Sequence, residues 1–190
     1  IGHFDSEIQI AALSSSQAAQ GLSDEHMLAL TTAQIAAMAT RQIANLGLAQ
    51  LDALSTTQFA ALKTSQVAAL STTQFESGIN TTQLQALSTA QIQALGTTQL
   101  VSLSIEQINA LETTDFAALK TSQIAALSTT QLLELATNQI AAMGTTQLAA
   151  LTTTQIASGL ATTFLAMLGS SQIGALRSSQ VAALDGSQLA

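Results

Sequence analysis

STTQFAAL (Ser55–Leu62) is followed without a gap by KTSQVAAL (Lys63–Leu70), and the phrase returns along the chain as STAQIQAL from Ser88, KTSQIAAL from Lys120 and GTTQLAAL from Gly144. The unit is eight residues long. Position 1 varies and takes Ser, Gly, Lys or Ala; position 2 is Thr or Ser; position 4 is Gln. Position 5 is Ile, Leu, Val or Phe, positions 6 and 7 are mostly Ala, and position 8 is Leu or Met. A fixed period of this kind is the signature of a repeat architecture and outranks any residue-level reading.

Worked outward from Gln58, the Gln register runs back through Gln50, Gln42, Gln34, Gln17 and Gln9. Forward it passes Gln66, Gln74, Gln83, Gln91, Gln99 and Gln107, then Gln123, Gln131, Gln139, Gln147 and Gln155, and ends at Gln172, Gln180 and Gln188. His26, Asp115 and Phe164 stand in the slot where Gln is missing. The reading is one array over residues 1–190, more degenerate in 1–54 (SDEHMLAL, IANLGLAQLDAL) and regular in 55–190. Three intervals are nine residues instead of eight, each with an added glycine: Gly21-Leu22, Gly78-Ile79 and Gly159-Leu160. Glycine's access to positive φ makes these candidate phase corrections. Lys63, Lys120 and Arg177 recur 57 residues apart, which reads as block duplication.

Eight residues can be folded in few ways. One long helix would drift by about 80° per octad and form no stable apolar stripe. A β-solenoid wants alternation and β-branched residues, whereas the apolar block here is rich in Ala. The remaining solution is all-α: an α-solenoid of very short helices, one per octad, in a continuous superhelical rod. The position-2 threonines Thr56, Thr64, Thr72, Thr89, Thr97, Thr121, Thr129 and Thr145 are expected as N-caps. Position 1 is then expected as the C′ residue of the preceding helix, where glycine is favoured. The alternative is a cap at position 1 with Gln at N3, an S/T-x-x-Q capping box. The repeated amides of Gln58, Gln66, Gln74, Gln91, Gln99, Gln123, Gln131 and Gln147 are expected to brace corners, because one side chain donates and accepts. Positions 5 and 8 would line a narrow core.

Composition narrows the function. Only 8% of residues are charged and the formal net charge is -7, against about 25% charged in an average domain. Nucleic acid is not expected as a partner, since phosphate binding needs clustered Lys or Arg. No stretch approaches the roughly 20 apolar residues of a membrane span, so membrane insertion is not expected. With no Cys, thiolate chemistry is absent. No signal peptide is visible at Ile1, so the start reads as a mature or internal fragment.

Chemistry-bearing residues are few. His3 and His26 are the two histidines, and Asp24-Glu25-His26 is a small polar cluster with two readings, a weak cation contact and a solvated corner, of which the corner is the better explanation. No G-x-S-x-G surrounds any serine and no phosphate-cradling glycine motif occurs. Asp52, Glu76, Glu106, Glu112, Glu134 and Asp185 fall in different slots and read as surface charge. Phe4, Phe59, Phe75, Phe116 and Phe164 read as packing. Neither enzyme activity nor a cofactor or metal is expected.

LTTTQIA (Leu151–Ala157) and LSTAQIQAL (Leu87–Leu95) resemble the Ala/Thr/Gln-rich octapeptide arrays of very large bacterial exported proteins of adhesin-like or biofilm-associated type. The resemblance implies a cell-surface or extracellular rod, spacer or matrix component and carries over no site residues. Two functions follow as expectations. The first is a structural protein, a fibre, matrix filament or stalk that assembles with itself end to end or laterally. The second is an adhesin-type module presenting a regular Thr face to ice or to cell-surface or matrix polysaccharide.

Overall fold

The computed structural model describes residues 7–160, 162–186 and 188; His3 and Phe4 lie outside them. Every regular element among the described residues is a helix. The chain runs from Glu7–Ala12 to Ser178–Val181 in helices of four to seven residues, one per octad. Ala, Gln and Leu favour the helix, yet pieces this short are not stable alone in water. Their stability has to come from neighbours.

The corner between helices is built from two extended residues. Leu103 ends one helix at φ -65, ψ 138, and Ser104 opens the next at φ -65, ψ 164. The same pair of conformations recurs at Leu127 and Ser128, and at Leu151 and Thr152. No residue with positive φ occurs among the described residues, glycine included. The expectation that glycine marks a left-handed C′ position is therefore corrected. Any L-residue fits the corner, which explains why position 1 accepts Ser, Lys, Ala and Gly alike.

By compactness the chain divides into two units, Ile1–Leu95 and Gly96–Ala190. The octad register passes this division unchanged, with Gln91 and Gln99 eight residues apart. In the first unit each helix packs on the third one before it: Thr32–Ala37 on Glu7–Ala12, and Thr64–Val67 on Thr40–Ala44. The second unit repeats the rule, with Thr121–Ala126 on Thr97–Ser102 and Thr153–Gly159 on Thr129–Leu133. Each unit is thus a helical repeat solenoid.

The core of each unit is a double file of position-5 and position-8 side chains. Ile43, Phe59, Val67 and Phe75 at position 5 are fully buried, as are Leu100, Phe116, Ile124 and Leu148 in the second unit. Leu46, Leu54, Leu62 and Leu70 form the position-8 file. Beside them Ala60 and Ala68 at position 6 face solvent, so the small residues sit on the outer side of the helix.

The glycines of the nine-residue units work by size, not by φ. A Cβ on Gly78 would stand 3.0 Å from the Gln74 carbonyl oxygen and 3.0 Å from Leu48 Cδ2. One on Gly159 would lie 3.3 Å from Thr129 Cα and 3.3 Å from Leu132 Cδ1. In both cases a later turn presses on the backbone of an earlier one. Gly21, in the first turn, has nothing within 4 Å of that point. Gly78→Ala and Gly159→Ala are expected to lose about 1–3 kcal/mol through overpacking. Gly21→Ala in the dilute chain is expected to be neutral or to gain up to about 1 kcal/mol from helix propensity. Urea unfolding of the three variants checks this, and an equal loss at all three sites would refute the packing account.

Candidate functional site

The repeated Gln begins as a local device. Each sits at the third helical position, where its side-chain oxygen can fold back to the residue just before the helix. Gln58 Oε1 accepts from the Ser55 backbone N–H at 2.8 Å, while Ser55 Oγ accepts from Gln58 N–H at 3.3 Å. Ser71 and Gln74 close the same box, as do Ser128 and Gln131. The cap is therefore position 1, one residue earlier than expected. Thr56, Thr64, Thr72, Thr89, Thr97, Thr121, Thr129 and Thr145 are corrected from N-cap to first helical residue.

The physical reason is that half of the box needs no side chain at position 1. Where position 1 is Lys63, Gly96, Lys120 or Gly144, its backbone N–H still donates to the Oε1 of Gln66, Gln99, Gln123 or Gln147 at 2.6, 2.7, 2.8 and 2.8 Å. Tolerance of Lys and Gly at position 1 is thus compatible with capping.

The other end of the same amide reaches across to an earlier turn. Gln58 Nε2 donates to the carbonyls of Met27 and Leu30 at 2.8 and 2.6 Å. Gln66 Nε2 donates to Ile35 and Met38 at 3.1 and 2.7 Å. Gln74 reaches Leu46 at 2.8 Å and Gln91 reaches Leu62 at 2.6 Å. In the second unit Gln131 reaches Leu103 at 3.1 Å, and Gln147 reaches Leu119 at 2.8 Å. The acceptors cluster at the ends of short helices, where carbonyls run short of partners within the helix; those of Met27 and Ile35 also accept the N–H of Leu30 and Met38. They lie 28 to 32 residues before the donor, as the bonds of Gln58 and Gln83 illustrate. Helix packing falls at three octads and amide donation at four, so one turn of each solenoid holds between three and four octads.

Gln58, Gln66, Gln74, Gln91, Gln99, Gln123, Gln131 and Gln147 are all buried. Burying a primary amide is costly unless its donors and acceptor are met, and at Gln58, Gln66, Gln74, Gln91, Gln131 and Gln147 bonds within and between turns meet them. The ladder is a structural site, with no reacting atom presented to solvent.

The departures are informative. His26 takes the Gln slot in the first turn: the Ser23 N–H lies 3.1 Å from His26 Nδ1, and the His26 N–H donates to Ser23 Oγ at 3.3 Å. Asp115 occupies the slot buried, and its helix lacks the box. Phe164 fills it with an aromatic ring, also buried. At Gln139 the cap N–H of Ala136 is taken instead by Asn109 Oδ1 at 2.9 Å. Gln139 Oε1 is left buried without a partner, while its Nε2 still donates to Ile108 at 2.7 Å. Sequence reading had no signal for Asn109, whose partner is 27 residues away.

The carboxylates do not converge. Asp52 Oδ1 accepts from Asn80 Nδ2 on the next turn at 3.0 Å. Hydrogen bonds from its own backbone N–H and from the Ser104 hydroxyl hold the exposed Glu106 carboxyl below its ordinary range. No group of three or more His, Asp or Glu able to hold a metal ion occurs among the described residues. No described helix is long and apolar enough to cross a membrane.

A family model described as the ALTTAQ repeat matches residues 43–77, 77–113 and 108–142, which together span more than half of the chain. The six letters stand verbatim at Ala29–Gln34. In the structure they spell the corner: helix end, extended Leu30, cap Thr31 and box-closing Gln34, with Thr31 N–H donating to Gln34 Oε1 at 2.8 Å. No curated protein matches the chain significantly.

Proposed function

The chain belongs to the ALTTAQ repeat family, and from that premise we propose that it serves as a structural element of the cell exterior, a fibre, matrix filament or stalk, without catalysis. The observation that carries this reading is the commitment of the one conspicuous polar side chain. Gln58, Gln66, Gln74, Gln91, Gln131 and Gln147 are buried and bonded at both ends of the amide, locally and to an earlier turn. Stability in such an array sums along its length through nearest-neighbour interfaces, which suits a length-bearing part. The exposed surface is mostly small hydroxyl residues and Ala with few charges. It suits a matrix component better than a partner that works by electrostatic steering.

Antibody labelling of intact cells that make the protein tests the reading. Label on the outside, on filaments or stalks, is the expected result. Label reached only after permeabilisation would overturn it. Retention on a polysaccharide column with an otherwise single-copy, surface-bound chain would shift the reading to an adhesin module.

A further inference from the structure

We propose that the corner at Leu135–Ala136, inside the second unit, is a bistable clasp. The Ala136 N–H exchanges between two side-chain oxygens, that of Asn109 on an earlier turn and that of Gln139 in its own octad. The unit thereby carries one corner able to let go of the earlier turn while the neighbouring corners stay bonded. This is a property of the fold and goes beyond the role proposed above.

The corner departs from its neighbours in what holds it. The carbonyls of Leu127, Met143 and Leu151 accept the amides of Gln155, Gln172 and Gln180 from a later turn, each at 2.7 Å. The slot that would serve Leu135 in this way holds Phe164, a buried ring with no donor. Leu135 sits looser as a result. Its N–H donates to the Leu132 carbonyl at 3.5 Å, against 3.2 Å for the equivalent bonds of Leu127 and Leu151. It is 7% exposed, against 3 and 2% for the same two residues.

Asn109 supplies the hold that Phe164 does not. It stands at position 6, which Ala60, Ala68, Ala117 and Ala125 fill in other octads. Its Nδ2 donates to the Glu134 carbonyl at 2.8 Å, and its Oδ1 accepts from the Ala136 N–H at 2.9 Å. At Lys120 and Gly144 the equivalent N–H goes to the Oε1 of Gln123 and Gln147 at 2.8 Å. Gln139 Oε1 is thus displaced from its donor, buried and without a partner. It has not moved far. Gln139 Nε2 donates to the carbonyl of Ile108, the residue beside Asn109, at 2.7 Å. Alanine at position 1 is no obstacle to the second arrangement, since the Ala39 N–H donates to Gln42 Oε1 in the first unit.

The two arrangements lie close because each leaves a different group unmet. In the clasped state a buried oxygen bears its full desolvation cost, whereas bonds at the surface gain little over their hydrated parts. In the released state Gln139 closes its box. Asn109 is half-buried and Glu134 exposed, so both groups turn to water. Two states balanced in this way give the minor one a population of roughly 0.1–10%.

Amide relaxation dispersion by NMR on the 190-residue chain tests this, since it reads exchange on the μs–ms scale. Ala136 is expected to show exchange broadening. Gly144, whose N–H is held by Gln147, is expected to show none. Asn109→Ala is expected to abolish the broadening at Ala136 and to leave the thermal midpoint unchanged or raised, because the box then closes. Gln139→Met removes the second acceptor. In that background Asn109→Ala is expected to lower the midpoint by roughly 2–4 °C, a non-additivity that marks one donor shared by two acceptors. Should Gln139→Met not fold, dispersion on wild type and Asn109→Ala decides alone. An Ala136 as free of broadening as Gly144 overturns the proposal. So does an equal loss from Asn109→Ala in both backgrounds, which would make Asn109 a fixed brace. Neither reading depends on where the protein resides, so surface labelling and this exchange succeed or fail separately.

Discussion

Gln66→Glu is expected to destabilise the first unit strongly at neutral pH and to recover stability on acidification. Gln66 is 1% exposed, and its Nε2 points at the carbonyl oxygens of Ile35 and Met38, 3.1 and 2.7 Å away. A glutamate of the same shape would keep the acceptor for the Lys63 N–H but set a carboxylate oxygen against two carbonyls. An uncompensated buried charge costs about 3–5 kcal/mol, a large part of the total stability of a domain. The folded state relieves this by holding the proton, so the carboxyl's pKa in the folded chain is raised above the unfolded value of about 4.3. A group raised on folding gives its full stability below the unfolded pKa and loses it as pH rises through the folded one. The variant should therefore be most stable near pH 4 and weaken steadily toward pH 8. Urea midpoints at the two pH values check it. An unchanged midpoint at pH 8 would mean that the amide's donor end contributes nothing to the contact between turns.

Phe59→Ala is the second large effect. Phe59 is fully buried at position 5 in the core file of its unit. Removing the ring leaves a cavity that flanking Leu and Ile side chains cannot fill, and Phe-to-Ala changes of this kind cost about 3–5 kcal/mol. Val101→Ala is the control: Val101 is at position 6 and 40% exposed, and surface changes of this kind stay within about 0.5 kcal/mol. Thermal unfolding should separate the two variants clearly. Comparable losses would mean that the core does not follow the octad positions.

The periodicity made the elements legible. Helix length, position-5 and position-8 burial and the corner at each octad boundary all follow from where Ile, Ala and Leu recur. Lys63 and Lys120 make poor side-chain caps, so the sequence points to a cap one residue later than the structure has it. Composition at position 1 does not reveal that Gln66 and Gln123 close the box through backbone N–H groups. The number of octads per turn was not legible for a related reason. The acceptors of the Gln amides are main-chain carbonyls, which every residue carries, so no side-chain pattern marks them. In the sequence Gly78 and Gly159 signal backbone freedom, not a close approach. Their closeness to Leu48 and Thr129 exists only after the turns have stacked.

The repeated amide bond also governs how such a gene can change. Each Gln seeks the helix end four octads earlier, and every octad supplies the same kind of helix end. Slippage during replication that adds or removes whole octads re-pairs each amide with an equivalent acceptor. A slip of one codon keeps the buried file only where a glycine admits the extra residue, as in the nine-residue units at Gly78 and Gly159; elsewhere it turns the file outward from that point onward. Copy number is thereby an easily inherited variable while register changes only at such glycines, so alleles of such an array are expected to differ in length by multiples of 24 nucleotides, three for each of the eight residues in the unit, or by whole copies of the 57-residue block.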